Sequence, residues 1–125
     1  MTTVSLNTLT CTWSTPEERT AVLRLDGDLD YSCSTEFAEL IRTRLAGTPD
    51  LRTLRLDCGA LGLCDSGGLS ALLMIRRHTE AAGVVLHLDH RGAALERLLE
   101  VTGTRHYLTG ERTVASVEQE QRGDS

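Results

Sequence analysis

The residues with the most chemical potential lie in one run, Leu-Cys-Asp-Ser-Gly-Gly-Leu-Ser-Ala-Leu-Leu, from 63 to 73. It offers a hydroxyl at Ser66, a carboxylate at Asp65 and an open backbone at Gly67 and Gly68, just where a helical apolar pattern begins. The plain reading makes Ser66 a helix cap, since Ser and Asp are favoured there. The alternative makes the hydroxyl a phosphate acceptor. A phosphoserine carries about -1.5 to -2 charges at neutral pH. A helix N-terminus favours such a charge through its free amides and dipole, while Asp65 next door opposes it. Two glycines in a first turn cost roughly 1 kcal/mol each relative to Ala. That cost implies a close backbone approach, or a partner's contact, at this helix end.

A third reading makes Ser66 a nucleophile, because Asp-Ser-Gly-Gly also occurs in chymotrypsin-like proteases. Those enzymes place the base His and its Asp before the Ser in the chain. Here His78, His87, His90 and His106 all follow it, and Cys64 stands where the hydrolase elbow requires Gly. No catalytic role is expected.

Other chemistry-bearing residues have plainer explanations. Cys58 and Cys64 lack the paired spacing of a zinc site and read as small buried hydrophobes. His87 and His90 flank Asp89, but alternation along a strand turns neighbours to opposite faces. Arg122-Gly123-Asp124 falls in a polar end segment. No phosphate-cradling loop of the G-x-x-x-x-G-K-[ST] kind is present, and no cofactor is expected. Of Met74 and Ile75, either one stays exposed as part of a docking surface or both are buried on a helix with a wider apolar arc.

The bulk composition is that of an ordinary soluble domain. Hydrophobic residues make up 40%, charged ones 25% and aromatics only 3%, so the core must be aliphatic. The net charge of -5 and the scarcity of stacking side chains argue against nucleic acid. No signal-like start and no membrane-length apolar run are visible, so a cytoplasmic protein with reduced cysteines is expected.

Broken alternation over Val4–Trp13 predicts one or two short strands, 14–19 a turn, and Val22–Leu25 a strand ended by Gly27. Residues 33–46 are predicted helical, with Phe37, Leu40, Ile41 and Leu45 inward and Ser32 or Ser34 as cap. A strand at 54–57 leads into a Gly-punctuated exposed loop, and a helix runs from Ser66 to about Ala82 with Gly83 at its end. A strand at 84–88, a helix at 92–101, a small strand at 106–108 and a helix at 111–121 complete the order. The expectation is an α/β fold: a mixed sheet of four to five strands, opening with a hairpin and packed against about four helices. A single domain over 1–118 and a polar tail over 119–125 are expected.

With this order in view, the chain resembles the STAS family, and within it the anti-sigma-factor antagonists of Gram-positive bacteria. Two motifs carry the resemblance: Leu-Asp-Gly-Asp-Leu-Asp at 25–30 and the Asp65-Ser66 run. It extends over about residues 4 to 118, including the later Gly-containing turn after 92–101. The resemblance implies a partner switch. The unphosphorylated antagonist binds an anti-sigma factor that is also a serine kinase of the histidine-kinase-like ATPase fold, and the sigma factor is released. The kinase phosphorylates the Ser after the motif Asp, binding ends, and a metal-dependent serine phosphatase resets the cycle. Carried over by position, Ser66 is the acceptor, Asp65 flanks it and Asp30 is a second acid nearby. The partner-binding residues expected are Asp30, Asp65, Ser66, Gly67, Gly68 and Met74, on a monomer that is substrate rather than enzyme. Gly67 departs from the family's frequent Ser or Thr. The other implied possibility is a STAS scaffold or transport-system subunit in which Ser66 only caps its helix.

Overall fold

Alternation of apolar and polar residues builds the sheet. The computed structural model describes residues 1–110, so the helix expected over 111–121 and the domain end at 118 lie outside the described residues. Five strands, β1 (Thr2–Leu6), β2 (Leu9–Glu17), β3 (Thr20–Leu29), β4 (Thr53–Cys64) and β5 (Val85–Asp89), pair in sequence order. β1, β2 and β3 form an antiparallel meander, whereas β3, β4 and β5 are parallel. Leu9, Cys11 and Trp13 on β2, Leu23 and Leu25 on β3, Leu54 and Leu56 on β4, and Leu86 and Leu88 on β5 are all buried. The register sets Leu23 beside Leu56 and Leu56 beside Leu88, so these side chains share one face.

Among the described residues, four helices supply the other half of the core: α1 (Ser34–Ala46), α2 (Ser66–Ala81), α3 (Ala93–Thr102) and α4 (Arg105–Thr109). α1 buries Phe37, Ile41 and Leu45, while Leu40 is only partly covered. α2 buries Leu69, Leu72 and Ile75, the stripe expected of a helix lying on a sheet. Parallel strands need a crossover, and α1 and α2 are the crossovers between β3, β4 and β5. Left-handed Gly83 and Gly103 follow α2 and α3, as expected of helix-ending glycines.

Five local expectations are corrected. β3 does not end at Gly27 but runs through it from Thr20 to Leu29, kept in the sheet by pairing with β4. β2 runs to Glu17 and narrows the turn expected over 14–19, ending it at left-handed Arg19. Cys33, not Ser32 or Ser34, caps α1, and it does so without a side-chain hydrogen bond. The small strand expected at 106–108 is α4, whose Leu108 enters the core while Arg105 pairs with Glu96 of α3. The largest correction concerns residues 58–64. They form the second half of β4, not an exposed loop. Their alternation is lost and glycines interrupt them, yet β3 keeps pairing with them after two register shifts, Asp26 to Ala60 and Leu29 to Cys64. Backbone pairing overrides composition here.

Gly27 marks the bend in β3. It has φ 111°, and a Cβ there would lie 2.2 Å from the Thr8 carbonyl oxygen. Gly27→Ala should therefore destabilise the fold by about 2–4 kcal/mol, from strain and forced displacement together. Chemical denaturation measures this directly, and an unchanged midpoint would contradict the geometry.

Candidate functional site

β3 and β4 end side by side, with Leu29 opposite Cys64, so the residues that follow each strand meet. The Leu29 carbonyl oxygen accepts a hydrogen bond from the Asp65 amide at 3.3 Å. The Asp65 carboxylate then divides its work between two segments. Its Oδ1 accepts from the Gly68 amide at 2.9 Å, and its Oδ2 accepts from the Tyr31 amide at 3.3 Å. Asp65 is thus the N-cap of α2 and also the tie between this helix and the loop after β3.

The cap of α2 is Asp65, which corrects the reading of Ser66 as the helix cap. Ser66 is the first residue inside α2, not its cap, and it is exposed. Its hydroxyl has no hydrogen-bond partner among the described residues, histidines included. The Leu69 amide is taken by the Asp65 carbonyl and the Gly68 amide by the Asp65 side chain. The amides of Ser66 and Gly67 have no such acceptor among the described residues. A hydroxyl group beside two open amides at a helix start can accept an anionic group with its charge partly stabilised.

The two glycines have an internal cause. A Cβ on Gly68 would sit 2.2 Å from the Leu29 carbonyl oxygen, so the buried backbone at Gly68 packs straight onto the end of β3. A Cβ on Gly67 would sit 2.9 Å from Tyr31 Cα. The close backbone approach expected from the sequence is therefore made by the chain itself. The absence of a side chain at Gly67 fits the path of Tyr31.

Asp30 lies in the same corner, but its carboxylate is engaged elsewhere. It accepts from the Ser32 amide at 2.9 Å, the Ser32 hydroxyl at 2.5 Å and the Thr8 hydroxyl at 3.3 Å. The Ser32 hydroxyl is the main cause that holds the Asp30 carboxyl below the usual aspartate range. Asp30 thus braces the loop rather than touching Ser66. Asp28 makes a comparable brace from β3, accepting from the Leu63 amide at 2.8 Å. Beneath the corner, Cys64 is half-buried, and burial pushes its thiol up to about 11.

Met74 and Ile75 separate cleanly. Ile75 is fully buried, whereas Met74 is 42% exposed. Met74 lines a groove of about 310 Å³ between α1 and α2, together with Gly67, Ala71, Ala38 and Glu39. Two exposed residues beside the site went unrecognised in the sequence, Tyr31 and Leu63, at 80% and 56% exposure. Strand and helix periodicity says nothing about a loop residue, and Leu63 was assigned to a loop. The one available signal was a lone aromatic in an aromatic-poor chain, directly after the 25–30 motif.

The comparisons agree with this architecture. A family model described as "Mlab, STAS domain" matches residues 15–110. The phosphorylated Bacillus cell fate determinant SpoIIAA is 19% identical, with a TM-score of 0.62 over 88% of this chain and 97% of that one. An anti-sigma factor antagonist from Mycobacterium paratuberculosis is 20% identical, with a TM-score of 0.62 over 78% and 80%. The murine anion transporter Slc26a9 is 16% identical, with a TM-score of 0.66 over 87% of this chain but 19% of the transporter. At these identities the likeness is one of fold.

Asp65 can be dissected by two substitutions. Asp65→Ala removes both acceptors and should cost about 1–2 kcal/mol. Asp65→Asn keeps an oxygen for the Gly68 amide but presents an NH2 toward Tyr31, so most stability should remain while the Tyr31 amide loses protection from hydrogen exchange. Equal protection in Asp65→Asn and the parent would refute the tie. For Asp30 the folded pKa is depressed, so its contribution is present above the unfolded value of 3.8 and lost as pH falls through the lower folded one. Asp30→Asn should accordingly flatten the acid limb of stability against pH.

Proposed function

The chain belongs to the STAS-domain family, and we propose that it is an anti-sigma-factor antagonist whose docking face is switched by phosphorylation of Ser66. In its unphosphorylated form it binds an anti-sigma factor that is a serine kinase of the histidine-kinase-like ATPase fold. The sigma factor is freed by that binding. Phosphate transfer from ATP to the Ser66 hydroxyl ends the complex, and a serine phosphatase restores it. The antagonist is the substrate of both enzymes and catalyses neither step.

One observation carries this reading: Asp65 performs the cap, so the Ser66 hydroxyl is exposed and has no structural task. A phosphate there would face the open amides of the first turn and stand beside the Asp65 carboxylate. Those effects oppose one another, as dipole attraction and like-charge repulsion do. The fold would survive while the shape and charge of the exposed corner change together. Gly67, Met74 and the rim of the α1–α2 groove form the adjoining part of the docking face. Gly68, being buried, contributes by letting α2 start this close to β3.

A second reading has support from the fold likeness to an anion transporter. In it the domain is a STAS scaffold or transport-system subunit, and modification of Ser66 has no consequence.

Ser66→Ala and Ser66→Asp baits separate the two. Ser66→Ala should retain a kinase of the histidine-kinase-like fold, and Ser66→Asp should retain at least about tenfold less. The Asp variant is an incomplete mimic, with one charge in place of nearly two. The same proteins on both baits, without such a kinase, would favour the scaffold.

A further inference from the structure

The side chain of Tyr31 projects from the corner just described, and no element of the described fold needs it there. Its backbone is tightly held: the amide donates to Asp65 Oδ2, and the Cα lies against Gly67 so closely that no Cβ fits between. Its side chain is nevertheless 80% exposed. An aromatic ring on a fixed backbone, left in water, is the usual form of an interface anchor, because burying it yields much area for little lost freedom. Leu63, three residues before Ser66 on β4, and Met74, on the Gly67 side of α2, add exposed apolar surface around the same corner.

The charge of the surroundings specifies the partner. Segments 25–35 and 60–75 contain four acids, Asp26, Asp28, Asp30 and Asp65, and no Lys, Arg or His. The 13 basic residues of the chain, all of them Arg, lie elsewhere. We infer that Tyr31 is the anchor of the docking face and inserts into an apolar pocket of a protein partner whose rim carries Arg or Lys. This inference deepens the function proposed above and rests on it. Asp65 is then a positioning residue, since it holds the Tyr31 backbone.

The sign of the charge has a consequence for release. A phosphate on Ser66 adds negative charge to a face that already attracts a basic rim, so simple repulsion between partners would not dissociate them. Its bulk beside Tyr31, and its repulsion of the Asp65 carboxylate that holds the Tyr31 amide, displace the anchor instead.

The test uses the full chain in the Ser66→Ala background and the kinase retained by that bait, purified and titrated by calorimetry. Adding Tyr31→Ala should weaken binding at least about 30-fold, and Tyr31→Phe should stay within about threefold. Val101→Ala, at an exposed apolar residue of α3, should change nothing. Raising NaCl from about 50 to about 500 mM should weaken the Ser66→Ala complex severalfold, as charge complementarity requires. Circular dichroism of each variant should match the parent, since the side chain is exposed. Undiminished binding by Tyr31→Ala would overturn the anchor while leaving the phospho-switch in place, and salt-insensitive binding would overturn the basic rim. Failure of Ser66→Ala itself to retain any kinase would remove the switch and this inference together.

Discussion

The parallel pairing of β3 with β4 is the constraint on which the rest depends. It sets Leu29 beside Cys64 and so brings together two segments that are 35 residues apart in the chain. Each strand ends and turns into a helix at the same edge of the sheet. The Leu29 carbonyl oxygen accepts the Asp65 amide, and α2 begins directly against it. Ligand and partner sites in α/β folds commonly gather where parallel strands end, because loops from separate crossovers converge there. This corner lies where that geometry places such sites.

Asp65 shows how one side chain can cap a helix and tie a second segment to it. A Ser or Asn in its place would cap the helix about as well. Only a carboxylate has two free acceptor oxygens, and here they serve two different segments. The cap also releases Ser66 from structural duty. A hydroxyl that held the helix start could be modified only at the cost of local order. An unengaged one can carry a phosphate with the fold intact.

The glycines express the same economy of space. Gly68 lets α2 meet β3 at backbone distance, and Gly67 lets the loop carrying Tyr31 pass over it. A helix start built for stability alone would have used better helix formers. The cost is met by the large aliphatic core on which α2 lies, where Leu72 and Ile75 are fully buried.

Much of this was legible in the residues themselves. Period-2 and period-3.6 patterns identify most strands and helices, because a one-sided sheet must alternate and a helix lying on it must carry a stripe. The Asp65-Ser66-Gly67-Gly68 run announces a tight helix start, since glycine and acid at that point have few other uses. The second half of β4 stayed hidden because backbone pairing with β3, not side-chain burial, holds it in the sheet. The assignment of the cap to Asp65 was hidden too, as adjacent Ser and Asp are equally able to do it and only the path of the chain chooses. Tyr31 could not be joined to Asp65 and Gly67 from sequence, for those contacts arise from a strand pairing that closes over a helix and more than thirty residues. Local pattern determined which elements form, and the non-local pairing of β3 with β4 decided which residues share the site.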